Sequence, residues 1–224
     1  MAQPIRFWLK NRFYTGRRNL MHDFRYKRSR LYCESVSIEA LAKRINTPFY
    51  LYSHKTLIDH YRKLHNAFEG IEHLICYSMK ANSNLAVCRA LVKQGAGLDI
   101  VSGGELFKAL KTGIKPNKIV YASVGKTKFE ITQAIRAGIL FFNIESLPEL
   151  ELTNQIAGKL RKVVAVAIRI NPDVKAKTHK YITTGHEQNK FGLDMETARS
   201  VFINQAQFKN IDIQGVHIHI GSQI

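Results

Sequence analysis

From residue 74 onward the chain alternates short apolar runs with stretches of helical periodicity. Residues 74–79, 97–101, 118–122, 140–144, 163–170 and 211–220 predict strands. Between them, residues 85–94, 105–112, 129–137, 148–160 and 195–204 predict helices. Upstream, Ser37 is placed to cap a short helix through Ile45, which Thr47-Pro48 stops. Residues 49–52 read as a short strand. Ser53 then caps a longer helix through Phe68, with Leu57, Tyr61, Leu64 and Phe68 at helical spacing.

Strands alternating with helices predict an α/β fold built from βαβ units around a parallel sheet buried on both faces. No GxGxxG follows the first strand, which argues against a dinucleotide-binding domain. A (βα)8 barrel, the TIM architecture, is the better expectation. The pattern supplies about six barrel strands, so the sequence reads as a partial barrel over residues 55–224, truncated at its C-terminal side. Residues 21–54 lead into it.

Composition narrows the class. Hydrophobic residues make up 45% and charged residues 23% of 224, as in a soluble globular protein. No apolar run approaches the roughly 20 residues of a membrane span, and no apolar secretory signal opens the chain. Cys33, Cys76 and Cys88 form no CxxC pair and read as reduced thiols of a cytosolic protein. The net charge is +17, and nine of the 34 Lys and Arg lie in the first thirty residues. Residues 1–20 show no periodicity and read as a disordered, dispensable basic extension, with Met21 as another start. A transit peptide is the alternative. No basic stripe or nucleic-acid module stands out, so the surplus charge reads as a solvated surface that favours anionic ligands.

Barrel enzymes carry their reactive groups at the C-terminal ends of strands. Four strand ends here are furnished that way. Lys80 follows Tyr77-Ser78-Met79, and Asp99 sits within Leu98-Asp99-Ile100. Arg169 and Asn171 end the fifth strand, and His217, His219 and Ser222 end the sixth. A lysine closing a buried strand is partly desolvated and becomes a competent amine for a Schiff base. A lysine snorkelling to solvent explains the position equally well. His217 and His219 share a strand face. That spacing permits metal binding, but no carboxylate or cysteine completes a ligand set, and no metal is expected. Gly221 and Ser222 beside His219 suit the close approach of a phosphate. Asp99 needs a partner if buried, and a histidine or a cofactor cation would serve. Arg169 either pairs with a structural acid or holds a group in the site.

At Lys80 the run Tyr77-Ser78-Met79-Lys80-Ala81-Asn82 resembles the cofactor-lysine motif of the alanine racemase and ornithine decarboxylase superfamily, the barrel enzymes of pyridoxal phosphate fold type III. Several further runs are similar to the diaminopimelate decarboxylase branch. They are Gly97-Leu98-Asp99, Val101-Ser102-Gly103-Gly104-Glu105, Asn143-Ile144-Glu145-Ser146, Arg169-Ile170-Asn171-Pro172-Asp173, Lys190-Phe191-Gly192 and His217-Ile218-His219-Ile220-Gly221-Ser222-Gln223. The resemblance runs from about Phe24 to Ile224. It implies pyridoxal 5'-phosphate as cofactor, with Lys80 as the Schiff-base lysine. It further implies that His219 stacks on the pyridine ring and Ser222, beside Gly221, contacts the phosphate. Asp99 and Arg169 would line the cofactor's surroundings. The implied reaction is decarboxylation of meso-diaminopimelate to L-lysine by a homodimer, with no nucleic-acid or membrane partner.

The family's glycine-rich phosphate loop, its Glu-Pro-Gly-Arg segment, its catalytic cysteine and its C-terminal β-domain have no counterpart up to Ile224. The chain as given is therefore expected to be an inactive portion. Ornithine and arginine decarboxylases are the rivals within the fold. Racemases favour Lys-Ala-Asn-Ala-Tyr-Gly, where this chain has Ser83-Asn84. A non-catalytic barrel that kept the motifs is the reading from another class.

Overall fold

A computed structural model describes residues 22–172 and 191–219. The chain divides into two compact units, one ending at Asp59 and the other beginning at His60. The first holds a three-stranded antiparallel sheet, β1 (Phe24–Lys27), β2 (Arg30–Cys33) and β3 (Val36–Ser37), in the order β1-β2-β3. Lys27 pairs with Arg30, leaving Arg28 and Ser29 as a two-residue hairpin loop, both with positive φ (47° and 62°). That is the backbone a tight hairpin demands, although neither residue is the usual Asn or Gly. The periodicity did not predict this sheet.

Helix α1 (Ile38–Ile45) is capped as expected, with the Ser37 hydroxyl accepting from the Ala40 amide at 3.4 Å. Helix α2 (His54–Ala67) starts at Ser53, whose Oγ accepts from the Thr56 amide at 3.0 Å. Residues 49–52 are not a strand. No described strand pairs with them, and Tyr50 is 91% exposed. An apolar run alone does not make a strand without a ladder to join.

The second unit carries the expected alternation. Its strands are β4 (Cys76–Ser78), β5 (Gly97–Ile100), β6 (Ile119–Tyr121), β7 (Phe141–Ile144), β8 (Val164–Ile170) and β9 (Ile211–Ile218). They form one sheet in the order β4-β5-β6-β7-β8-β9, each parallel to its neighbours. Helices α3 (Leu85–Val92), α4 (Gly103–Lys111), α5 (Lys128–Ala137), α6 (Leu147–Lys159) and α7 (Met195–Ile203) fill the connections. Spatial order that follows sequence order is barrel topology. A doubly wound sheet would reverse direction partway.

Three helix starts share one device. Ser102, Thr127 and Ser146 cap α4, α5 and α6, each with a glutamate three residues on. Glu105 and Glu149 then reach back to the amides of Val101 and Glu145, at 2.8 and 2.9 Å. This ties each strand end to the following helix.

Side chains alternate across the strands. Leu98 and Ile100, Ile119 and Tyr121, and Phe142 and Ile144 face the helices and are almost fully buried in the core. Asp99, Val120 and Asn143 point the other way, into a cavity. Gly97 is required by close approach, because a Cβ there would lie 2.6 Å from the Cys76 sulfur and 2.7 Å from the Lys118 carbonyl oxygen. In β9 a one-residue register shift lies opposite Val166/Ala167. Ahead of it Ile211 and Ile213 pack on the core, and after it His217 faces the cavity. The bulge inverts the strand's face and so aims the histidine inward.

Candidate active site

The cavity has a volume of about 780 Å³. It is lined by the strand ends that the sequence singles out. Lys80, Asp99, Arg169, His217 and His219 all contribute, and the two histidines share it as their spacing predicts. Gly221 and Ser222 lie outside the described residues, as do Asp173 and Lys190 of the quoted motifs.

The turn after β4 presents Lys80. The Met79 amide donates to the Asp99 carbonyl at 2.9 Å, and the Ala81 amide donates to the Ser78 carbonyl at 3.1 Å. Met79 is fully buried and anchors the turn, while Lys80 is exposed. Of the two readings of this lysine, desolvated at the strand end or extended to solvent, the structure shows the second. Lys80 sits two residues beyond β4, and its stem extends towards open space. Among the described residues its ammonium has no hydrogen-bond or ion-pair partner, so the amine is available for chemistry.

Asp99 takes its hydrogen bond from the Ser78 hydroxyl across the β4–β5 ladder. Neither histidine fills that role. Cys76 lines the same wall, where burial, aided by the Asp99 charge, pushes its thiol up to about 11. It stays protonated and unreactive at neutral pH.

Arg169 pairs with Glu145, which lies just past β7. The carboxylate side chain is 2% exposed and the arginine 13%. The Ser123 amide donates to the other Glu145 oxygen at 3.0 Å. The guanidinium also lies 5.6 Å from the centre of the Phe191 ring. Gly192, at φ +101°, lets this segment turn tightly against Arg169, whose carbonyl oxygen would lie 3.0 Å from any Cβ there. The Leu193 amide then donates to that carbonyl at 2.8 Å.

Behind this wall lies a second ion pair that sequence reasoning missed. Lys126 has a fully buried side chain. Its ammonium donates to the Ser123 carbonyl at 2.8 Å, the Asn143 carbonyl at 2.7 Å and Glu149 at 2.5 Å. Burial pushes the Lys126 ammonium down and the Glu149 carboxyl up, and each partner opposes the other's shift. Three acceptors for three protons favour the charged pair.

His217 is half-buried, and its Nδ1 is buried without a hydrogen-bond partner among the described residues. Burial first, then the Arg169 charge, holds its pKa below the ordinary 6.5. The unfolded chain takes up a proton near pH 6.5 that the folded state resists, so stability falls as pH drops below that value. Urea midpoints measured at pH 7.5 and 5.5 are expected to differ less in His217→Gln than in the parent. An equal or larger drop in the variant would contradict this reading of the site. Among the described residues, no three His, Cys, Asp or Glu side chains gather closely enough to hold a metal ion, and no helix is long and apolar enough to cross a membrane.

Residues 54–224 match the family described as pyridoxal-dependent decarboxylase, pyridoxal binding domain. The diaminopimelate decarboxylase of Aquifex aeolicus is 47% identical over 199 residues, covering 89% of this chain and 47% of the relative. That of Pseudomonas fluorescens is 44% identical over 205 residues, covering 91% and 49%. Among solved structures, the M. jannaschii diaminopimelate decarboxylase in co-complex with L-lysine superposes with a TM-score of 0.84 at 39% identity, over 92% of this chain and 49% of that one. The lysine/ornithine decarboxylase of Vibrio vulnificus, at 24% identity and a TM-score of 0.68, shares the fold. The chain spans about half the length of the curated relatives it matches. A matched family description over three-quarters of the chain, on a sheet whose strand ends converge on one lysine-bearing cavity, means that the chain belongs to the pyridoxal-dependent decarboxylase family.

Proposed function

We propose that the protein carrying this chain decarboxylates meso-diaminopimelate to L-lysine with pyridoxal phosphate, and that Lys80 is its cofactor lysine. The observation that carries the reading is an amine, without a partner among the described residues, facing a cavity also lined by Asp99, Arg169 and two histidines. The similarity to diaminopimelate decarboxylases supports this choice of substrate. The relatives and structures of that name are 39–47% identical to this chain.

The residues fit the cofactor. Among the described residues, Lys80 has no partner for its amine, which suits an aldehyde, and the buried His217 Nδ1 has none either. When bound, pyridoxal phosphate supplies the electron sink that accepts the pair left by the departing carboxylate. The chain's own residues bind and orient. Lys80 would hold the cofactor through its amine. His219, exposed on the cavity wall, presents a flat ring for stacking. Asp99, fixed by the Ser78 hydroxyl on the adjacent strand, places a carboxylate on the cavity wall. Arg169 is already neutralised by Glu145, so it positions an anionic group without adding a full net charge. Gly221 and Ser222 are proposed to meet the phosphate. Assembly as a homodimer in the cytosol, with no nucleic-acid partner, completes the proposal.

Carbon dioxide release by the full-length protein tests it. With pyridoxal phosphate, release from meso-diaminopimelate is expected to exceed release from L-ornithine or L-arginine by about 100-fold or more in kcat/KM. Preference for ornithine or arginine would replace the substrate, and no release from any of the three would favour a non-catalytic barrel.

A further inference from the structure

Resting on the proposed site, we infer that Lys126 is a positioning residue, the counter-ion that keeps Glu149 from competing with Glu145 for the Arg169 guanidinium. Four charges are packed in and behind the cavity wall, Arg169 and Glu145 lining it and Lys126 and Glu149 behind them. Their hydrogen bonds form a closed circuit. Lys126 holds Glu149 and the Ser123 carbonyl. Glu149 accepts from the Glu145 amide at 2.9 Å, and Glu145 accepts from the Ser123 amide at 3.0 Å. Arg169 faces the cavity together with Glu145 and Ser123, whereas Lys126 and Glu149 do not line it.

The pairing is unequal by design of the chain. Lys126 spends all three protons on acceptors within the wall and has none left for the cavity. Arg169 is held through one guanidinium nitrogen and stays in contact with the open space. If Lys126 were apolar, Glu149 would be a buried carboxylate with no cation of its own. Arg169, already within electrostatic reach of Lys126, would be the nearest replacement. A guanidinium has five donors in a fork and can bridge two carboxylates. It would then swing away from His217 and towards the wall.

His217 reports that movement without any turnover, so the test stands even if the decarboxylase reading fails. The charged groups that act on its ring are Arg169, Glu145, Asp99 and His219. In the full-length protein without substrate, the His217 ring is titrated by NMR in the parent, Lys126→Met and Lys126→Met/Glu149→Gln. In Lys126→Met the midpoint is expected to rise by about 0.5–1 pH unit, because a cation leaves and an anion loses its partner. The double variant has the same missing lysine and the same loosened packing, but balanced charge, and its midpoint is expected to return to the parent value. An unshifted midpoint in Lys126→Met would show that the lysine only supports the fold. An equal shift in both variants would assign the effect to loosened packing, and either result overturns the inference. If Lys126→Met does not fold, a folded double variant with the parent midpoint supports the inference, and a shifted or unfolded double variant overturns it.

Discussion

Lys80→Ala is expected to lower decarboxylation of meso-diaminopimelate by the full-length protein on the order of 10³-fold, while leaving its unfolding free energy within about 0.5 kcal/mol. Both halves follow from one position. Lys80 lies outside the core, beyond the end of β4, and among the described residues it has no hydrogen-bond or ion-pair partner. Removing it opens no cavity and orphans no buried group. Its amine is nevertheless the group placed to anchor an aldehyde in the site, and alanine offers no substitute. Initial rates together with urea unfolding separate the two effects. Loss of stability that matches loss of activity would make Lys80 a structural residue. Retained turnover would move the cofactor lysine elsewhere.

Glu145→Ala is expected to cost about 3–5 kcal/mol of stability, near the largest effect of any single change in the site. The carboxylate is 2% exposed and satisfies two donors, the Arg169 guanidinium and the Ser123 amide. Taking it away strands a mostly buried cation and a backbone N–H together. Arg169 reaches the cavity, so water can relieve part of the penalty, which places the expectation towards the lower end of that range. Glu145→Ala/Arg169→Met removes the charge at both ends and is expected to cost less than the sum of the single changes. Strict additivity in urea unfolding would mean that the two side chains are not coupled.

The alternation of strands and helices was legible because the barrel obeys simple periods. Leu98-Asp99-Ile100 shows why the site was legible too. One polar residue between two apolar ones on a buried strand must face something other than the helices, and it faces the cavity. His217 and His219 were read to a common face, and they share it because the register shift in β9 falls before them. The misses have equally local causes. The β1–β2 hairpin is short, basic and turned by Arg28-Ser29, so it carries neither a clean alternation nor the usual turn residues. Residues 49–52 are apolar but lack a partner strand. Sequence left Lys80 open between desolvated and solvent-reaching, and the side chain is exposed because the strand ends at Ser78, two residues before it. Lys126 sits in a Gly-Lys-Thr run that reads as a solvated loop, and only the packing of β6, β7 and α6 buries it. Glu145 lay within a quoted motif, but a carboxylate one residue past a strand carries no sign in sequence of the arginine 24 positions later that it binds.

The central claim is that the cavity at the strand ends is the cofactor site and Lys80 its covalent anchor. Borohydride reduction of the full-length protein with pyridoxal phosphate, followed by proteolysis and peptide mapping, tests this most directly. The account predicts one dominant label on the peptide that contains Tyr77-Ser78-Met79-Lys80, at Lys80 itself. A dominant label on any other lysine, with Lys80 unmodified, would contradict it.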